Sequence, residues 1–245
     1  MTRVTDDALE PAPDDELAEV RERYRRRADD KGVSARYSLL HPEVLAATHQ
    51  RQRAMVAALR RLERDLDTVT LVDVGCGSGG NLLEFLRLGM RPQHLQGLEL
   101  LEDRYAEARH VLPSALTLRL GDASQAPIAP GSVDVVLQST VFSSLLDDAF
   151  QEHLARRMWS WVAPGGAVLW YDFTVDNPRN PDVRGVPRAR VEALFPEARA
   201  SFAKVTLAPP IGRLLGRKAP VLLPLATAVP PLRTHLVGWL AKPAY

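Results

Sequence analysis

The chain has 245 residues, with 31 Lys and Arg against 30 Asp and Glu, 46% apolar residues and one cysteine. That length suits one domain with a substantial core, and the lone Cys76 excludes an intramolecular disulfide framework. All but four basic residues are arginine, the lysines standing at 31, 204, 218 and 242, and interspersed acids leave none of the clustered positive excess that nucleic-acid binding needs.

Residues 1–14 are rich in Asp, Pro and Thr and are expected to be a disordered tail. They lack the apolar core of a signal peptide, so the expected location is cytoplasmic. From Asp15 to about Asp29 the pattern is helical and highly charged, and the basic run 21–27, flanked by acids, reads as a solvated helix face. A loop over 37–42 precedes a second helix from Pro42 to about Arg64, a proline being suited to the first turn. Residues 15–66 are therefore expected to form a helical arm covering the site of a domain that spans 67–245.

Short apolar runs then alternate with helical segments, which is how a parallel α/β sheet reads in sequence. Strands are expected over 68–74, 94–100, 116–120 and 133–138, with helices over 80–87, 102–110 and 147–161. Pro164-Gly-Gly166 reads as a turn feeding a fifth strand over 167–172. The last third is proline-rich, with strands expected near 201–207 and 234–240 and a short helix between them. Its apolar tract 221–232 is shorter than the ~20 residues a membrane span needs. The tract is expected to pack on the domain, on a second copy or partner subunit, or on an apolar substrate.

The stretch 71–81, LVDVGCGSGGN, admits two nucleoside-binding readings. As Gly75-x-Gly77-x-x-Gly80 it fits a dinucleotide fingerprint; as Asp73-x-Gly75-x-Gly77-x-Gly79 it fits a methyl-donor loop. Both use glycines for a tight turn and a helix N-terminus facing the ligand. Glu99 closes the second strand, where a carboxylate can accept from both ribose hydroxyls. Asp122, after the third strand, can accept from an adenine amino group while the Ala123 N–H meets a ring nitrogen.

The ordered set Asp73, Gly75-Cys-Gly77, Glu99, Gly121-Asp122 and Pro164-Gly-Gly166 resembles class I S-adenosylmethionine (SAM)-dependent methyltransferases. The resemblance is strongest over 68–172. Segments 36–42, 137–142, 170–173, 177–185 and 232–235 extend it to a bacterial subgroup found among sugar and natural-product gene sets. It implies a doubly wound, Rossmann-like, seven-stranded and mainly parallel sheet, with SAM as cofactor and S-adenosylhomocysteine as product. It further implies that Asp73 meets the SAM ammonium, that Gly75, Gly77 and Gly79 line the cofactor, that Leu100 packs on adenine, and that Tyr37 and Gln138 complete the cofactor contacts.

For the acceptor, the candidates are Asp172, His41 and His235, with Tyr171 and His153 also weighed. His153 reads as an exposed or packing residue of its helix. The turn-rich segment 176–184 is expected to form a lid carrying Arg179 or Arg184 to an anionic group. Gln138-Ser-Thr-Val141 stands where DNA-adenine enzymes carry an Asn/Asp-Pro-Pro element, and the metal-binding acids of catechol-type enzymes are missing, so no metal is expected. The expected activity is O-methylation of a small natural-product or sugar-related acceptor. N-methylation, an NAD(P)-dependent reductase and a non-catalytic SAM-binding subunit stand as alternatives.

Overall fold

A computed structural model describes residues 14–28, 37–178 and 180–244. The expected tail, apart from Asp14, and the lid residue Arg179 lie outside the described residues.

Helix α1 (Asp14–Ala28) places Leu17, Val20 and Tyr24 at helical spacing on one side, and Val20 joins the core. Helix α2 (Pro42–Leu59) starts with Pro42 in its first turn and buries Met55, Ala58 and Leu59. It ends five residues before the expected boundary, in a 3-10 turn (Arg60–Leu62).

The α/β part follows in order: β1 (Leu71–Val74), α3 (Gly80–Arg87), β2 (Leu95–Glu99), α4 (Glu102–Val111), β3 (Thr117–Leu120), β4 (Val133–Ser139) and α5 (Asp148–Trp161). Asp147 caps α5 by accepting from the Phe150 N–H at 2.6 Å. Strand β5 (Val162–Phe173) begins earlier than the turn at Pro164-Gly-Gly166 suggested. Val162 already pairs with Val133, and the glycines form an irregularity between that pair and Val135–Ala167. Gly165 has φ +79°, and a side chain on Gly166 would come within 2.5 Å of the Asp134 carbonyl.

Helix α6 (Arg188–Leu194) has no counterpart in the sequence expectations; seven residues are too few for a periodic signal. Strand β6 (Arg199–Leu207) is followed by α7 (Pro209–Lys218) and α8 (Leu223–Ala228) where one short helix was expected, and then by β7 (Arg233–Ala241). Prolines at 220, 224 and 230 divide the connection.

The seven strands lie in the order β3-β2-β1-β4-β5-β7-β6. All pairings are parallel except those of β7, which runs antiparallel to both β5 and β6. Strand alternation divides the core into two layers. Val72, Val74, Val136, Val168 and Trp170 face α5 and α6; Leu71, Val135, Leu137, Leu169 and Tyr171 face α2, α3 and α4. The chain order reverses between β1 and β4, so the crevice beyond their carboxyl ends is where such sheets hold ligands. Among the described residues no helix is long and apolar enough to cross a membrane.

Candidate active site

The loop between β1 and α3 is built on backbone conformations that side chains resist. Gly75, Gly77 and Gly79 have φ of +66°, +56° and +87°. A side chain on Gly75 would strike Val141 Cγ2 at 2.5 Å, and one on Gly79 would strike Leu112 Cδ1 at 2.7 Å. At Gly77 the nearest atom is 4.0 Å away, on Arg104, so only φ forbids a side chain there. Gly80 is the first residue of α3.

Asp73 sits beneath this loop, 0% exposed. Its Oδ2 accepts weakly from Asn81 Nδ2 at 3.4 Å, and its Oδ1 has no partner. Burial pushes its pKa up to about 7, while Asn81 and the Arg51 cation pull the other way. A buried acceptor without a donor is costly, and it suits a cationic group arriving from a ligand. Glu99 holds the far side of the loop, its Oε2 accepting from Gly77 N–H at 2.7 Å and its Oε1 from Leu101 N–H at 2.9 Å.

A cleft of ≈ 720 Å³, counted to its open mouth, runs from Gly75 and Glu99 past Leu100 to Asp122 and Ala123. Thr140 and Val141 form its other wall. Leu17, Val20 and Tyr24 of α1 close it from above, so this arm is part of the cleft. The Arg104 and Arg27 guanidinium groups lie 4.6 and 5.1 Å from the Tyr24 ring centroid, and the Tyr24 hydroxyl meets Ser144 Oγ at 3.0 Å. Arg23 is buried beside it, bonded to Glu16 at 2.7 Å and to the Ser144 carbonyl at 3.1 Å. The basic run 21–27 is therefore only partly a solvated face.

On the α2 side of the sheet, beside Asp73, lies a second cluster. The Tyr171 ring stacks on His235, with the Arg51 guanidinium 5.7 Å from its centroid. Tyr171 Oη meets Thr206 Oγ1 at 2.9 Å, and the Thr206 N–H donates to Gln50 Oε1 at 2.8 Å. The Thr140 N–H donates to the Tyr171 carbonyl at 2.8 Å. Thr140 and Thr206 have φ of +59° and +60°, a costly conformation for β-branched residues. Tyr171 is thus held from two sides by strained threonines. Arg51 pairs with Glu84 at 3.0 Å, yet its Nε is buried without a partner. Burial, and then the Arg51 cation, lowers the His235 pKa to about 4, so its ring is neutral at neutral pH.

Other expected site residues land elsewhere. Gln138 does not line the cleft, although by strand parity it shares the side of Val74, which does: it is 0% exposed and uses both amide ends on the Val141 N–H (3.1 Å) and Tyr171 carbonyl (3.4 Å). It shapes the cleft through the turn that carries Thr140 and Val141. Asp172 points to the α5 side, away from Tyr171, and its carboxylate accepts from the Ser143 N–H at 3.1 Å and the Phe173 N–H at 2.9 Å. Burial raises its pKa to about 7 against those hydrogen bonds. His41 is exposed at the N-cap of α2, and Tyr37 is 71% exposed, outside the residues that line the cleft. Asp122 faces the cleft but also accepts from Ser124 N–H and Oγ, at 2.8 and 2.7 Å. His153 is buried in α5 with Nε2 unpartnered. Arg184 pairs with Asp148, so its charge is engaged on α5, while Asp182 of the same loop bonds Arg26 of α1 at 3.0 Å.

Residues 71–166 match a family model described as a methyltransferase domain. Solved structures share the fold. A SAM-dependent methyltransferase from Mesorhizobium loti superposes with a TM-score of 0.54 at 18% identity, covering 76% of this chain and 97% of its own. One from Archaeoglobus fulgidus gives 0.56 at 13%, covering 78% and 94%. A geranyl diphosphate C-methyltransferase from Streptomyces coelicolor A3(2), in complex with Mg2+, geranyl diphosphate and S-adenosyl-L-homocysteine, gives 0.55 at 14%, covering 77% and 76%. No curated protein sequence matches the chain significantly.

Proposed function

We propose an acceptor class from the premise that this chain carries a class I SAM-dependent methyltransferase domain: the acceptor is a small molecule, methylated on oxygen, of natural-product or sugar-related type. The observation that carries the cofactor assignment is the unpartnered Asp73 Oδ1 beneath three glycines of positive φ. The residues fit that cofactor. Asp73 would receive its ammonium, Glu99 the ribose, Leu100 the adenine face, and Asp122 with the Ala123 N–H the adenine edge. When bound it supplies an electrophilic methyl group on a sulfonium sulfur.

The chain's own residues orient and desolvate. Closure of α1 over the cleft removes water from the adenosine half, which strengthens every polar contact inside. The cluster of Tyr171, His235 and Arg51 is our assignment for the acceptor. Neutral His235 accepts or donates a hydrogen bond according to its tautomer and orients an acceptor hydroxyl. The Arg51 guanidinium beside them would serve as a cationic donor for an acidic or phosphorylated acceptor group. Alignment is the larger part of catalysis for an in-line displacement. Asp172 enters as a positioning residue, fixing the 142–144 turn that carries Ser144 to α1.

The testing experiment is titration calorimetry with S-adenosylhomocysteine, followed by incubation with SAM and a panel of hydroxylated, carboxylated and amine acceptors under mass spectrometry. A mass gain of one methyl on hydroxylated compounds supports the reading. Gain on amines alone replaces it with N-methylation, and NAD binding without S-adenosylhomocysteine binding removes it.

A further inference from the structure

The connection from β6 to β7, residues 208–232, sits at the same sheet edge as the cleft, since β6 ends and β7 begins beside the carboxyl end of β5. Of its apolar tract, Leu223 packs into the domain at 4% exposed, while much of the rest is bare. Val221 is 80% exposed and Leu225 68%, with Leu214, Leu222 and Val229 also exposed. Helix α7 lies on α2 through Gly212, which leaves contact room for Glu43. Five exposed large apolar side chains within residues 214–229 are more than isolated surface hydrophobics, and such exposure marks an interaction site.

Charge identifies the partner. No Asp or Glu occurs after Glu197, whereas Arg199, Lys204, Arg213, Arg217, Lys218, Arg233 and Lys242 do, in a chain whose formal net charge is only +1. Arg213, Arg217 and Lys218 are exposed on α7 beside the apolar residues, and none of the three forms an ion pair among the described residues. A second copy docked by two-fold symmetry would set these cations against themselves. Proline-broken helices that project separate apolar side chains amid cations match an anionic bilayer surface, where the apolar groups enter the headgroup boundary and the cations meet phosphate. We propose that α7 and α8 dock the protein on anionic phospholipid membranes, with Val221 and Leu225 inserting and Arg213, Arg217 and Lys218 binding headgroups. Methyl transfer is not needed for this inference.

The test is co-sedimentation of the full chain with vesicles of equimolar phosphatidylglycerol and phosphatidylcholine, against vesicles of phosphatidylcholine alone. Binding should be at least about ten-fold stronger on the anionic vesicles and should weaken by about ten-fold at high salt. Val221→Asp with Leu225→Asp, and separately Arg213→Glu with Arg217→Glu, should each reduce it by a similar factor. S-adenosylhomocysteine affinity should stay unchanged in both variants, which shows that they fold. No binding to anionic vesicles by the unaltered chain, or binding that the variants leave intact, overturns the proposal. So does a concentration-dependent dimer that the variants dissociate, in the absence of vesicle binding.

Discussion

Tyr171 and His235 stack with ring centroids 5.2 Å apart and planes 17° from parallel, across two strands that run in opposite directions. Each ring is held by something else: Tyr171 by Thr206 at its hydroxyl, with Thr140 on its backbone carbonyl, and His235 by Thr234 Oγ1 on Nδ1 at 3.1 Å. The pair forms a rigid unit, and as the proposed acceptor site it would hold a bound group in one orientation. His235→Ala should therefore reduce kcat/KM for the acceptor by about 10- to 100-fold, as loss of one orienting group does. Its S-adenosylhomocysteine affinity should match that of the unaltered enzyme. With a pKa near 4, His235 should put no inflection on the pH–rate profile between pH 5 and 8. Steady-state kinetics against pH checks both statements.

Asp73 and Asp172 are both raised from 3.8 to about 7 by burial. The folded chain then holds protons that the unfolded chain has released, so these groups lower stability as pH rises from about 4 to about 7. The effect is on the order of a few kcal/mol per group at its full extent. His235 acts oppositely, adding stability as pH rises through the window from about 4 to 6.5. Urea denaturation across pH 4 to 8, without cofactor, should show the net decline.

Asp73→Asn should accordingly make the cofactor-free chain more stable at pH 8, while weakening S-adenosylhomocysteine binding by about ten-fold or more. In the unaltered chain that affinity should climb as pH rises towards 7 and level off above it, because the ionised carboxylate is the form that receives an ammonium. Thermal shift and calorimetry on the two proteins give the comparison. Equal affinity in both would remove Asp73 from the cofactor site.

The three loop glycines should not be equivalent. Gly77→Ala pays only for φ, about 1–2 kcal/mol, because nothing lies closer than 4.0 Å. Gly75→Ala and Gly79→Ala add a collision with Val141 or Leu112 and should cost about 1–3 kcal/mol more. Chemical denaturation of the three variants orders them.

Arg23→Ala leaves Glu16 buried without its cation and should cost about 3–5 kcal/mol of α1 docking. Since α1 helps close the cleft, cofactor dissociation should quicken, and protease cleavage within 14–28 should appear well below the global unfolding transition. Arg25→Ala, on the exposed side, is the control and should change neither.

The parallel part of the sheet was legible because its strands are short apolar runs, β1 to β3 closed by a glycine or an acid and β4 by the polar Gln138-Ser-Thr140. That Glu99 and Asp122 would line the cleft and Asp73 lie beneath the loop was legible because a carboxylate at a strand's carboxyl end has few structural uses. Gln138 stands at the end of β4 on the side of Val74, but its bonds to the Val141 N–H and the Tyr171 carbonyl, which keep it out of the cleft lining, leave no trace in the sequence. Arg51 left no signal among twenty-odd other arginines of an arginine-rich chain. Tyr24 did leave one, since Leu17, Val20 and Tyr24 recur at helical spacing, but the surrounding charges masked it. The exposure of Val221 and Leu225 could not be read, because an apolar tract looks the same whether it is covered or bare.

The placement of β7 also sets an order of assembly. It follows every other strand in sequence and yet lies between β5 and β6. Until residues 233–241 leave the ribosome, β5 has a bare edge and β6 has no partner in the sheet. From the completion of β5 at Phe173 until β7 is made, the nascent chain therefore carries an unpaired, strongly apolar edge. The Tyr171–His235 stack, the acceptor site proposed above, is among the last parts to exist, after the glycine loop and the Asp73 site are already in place.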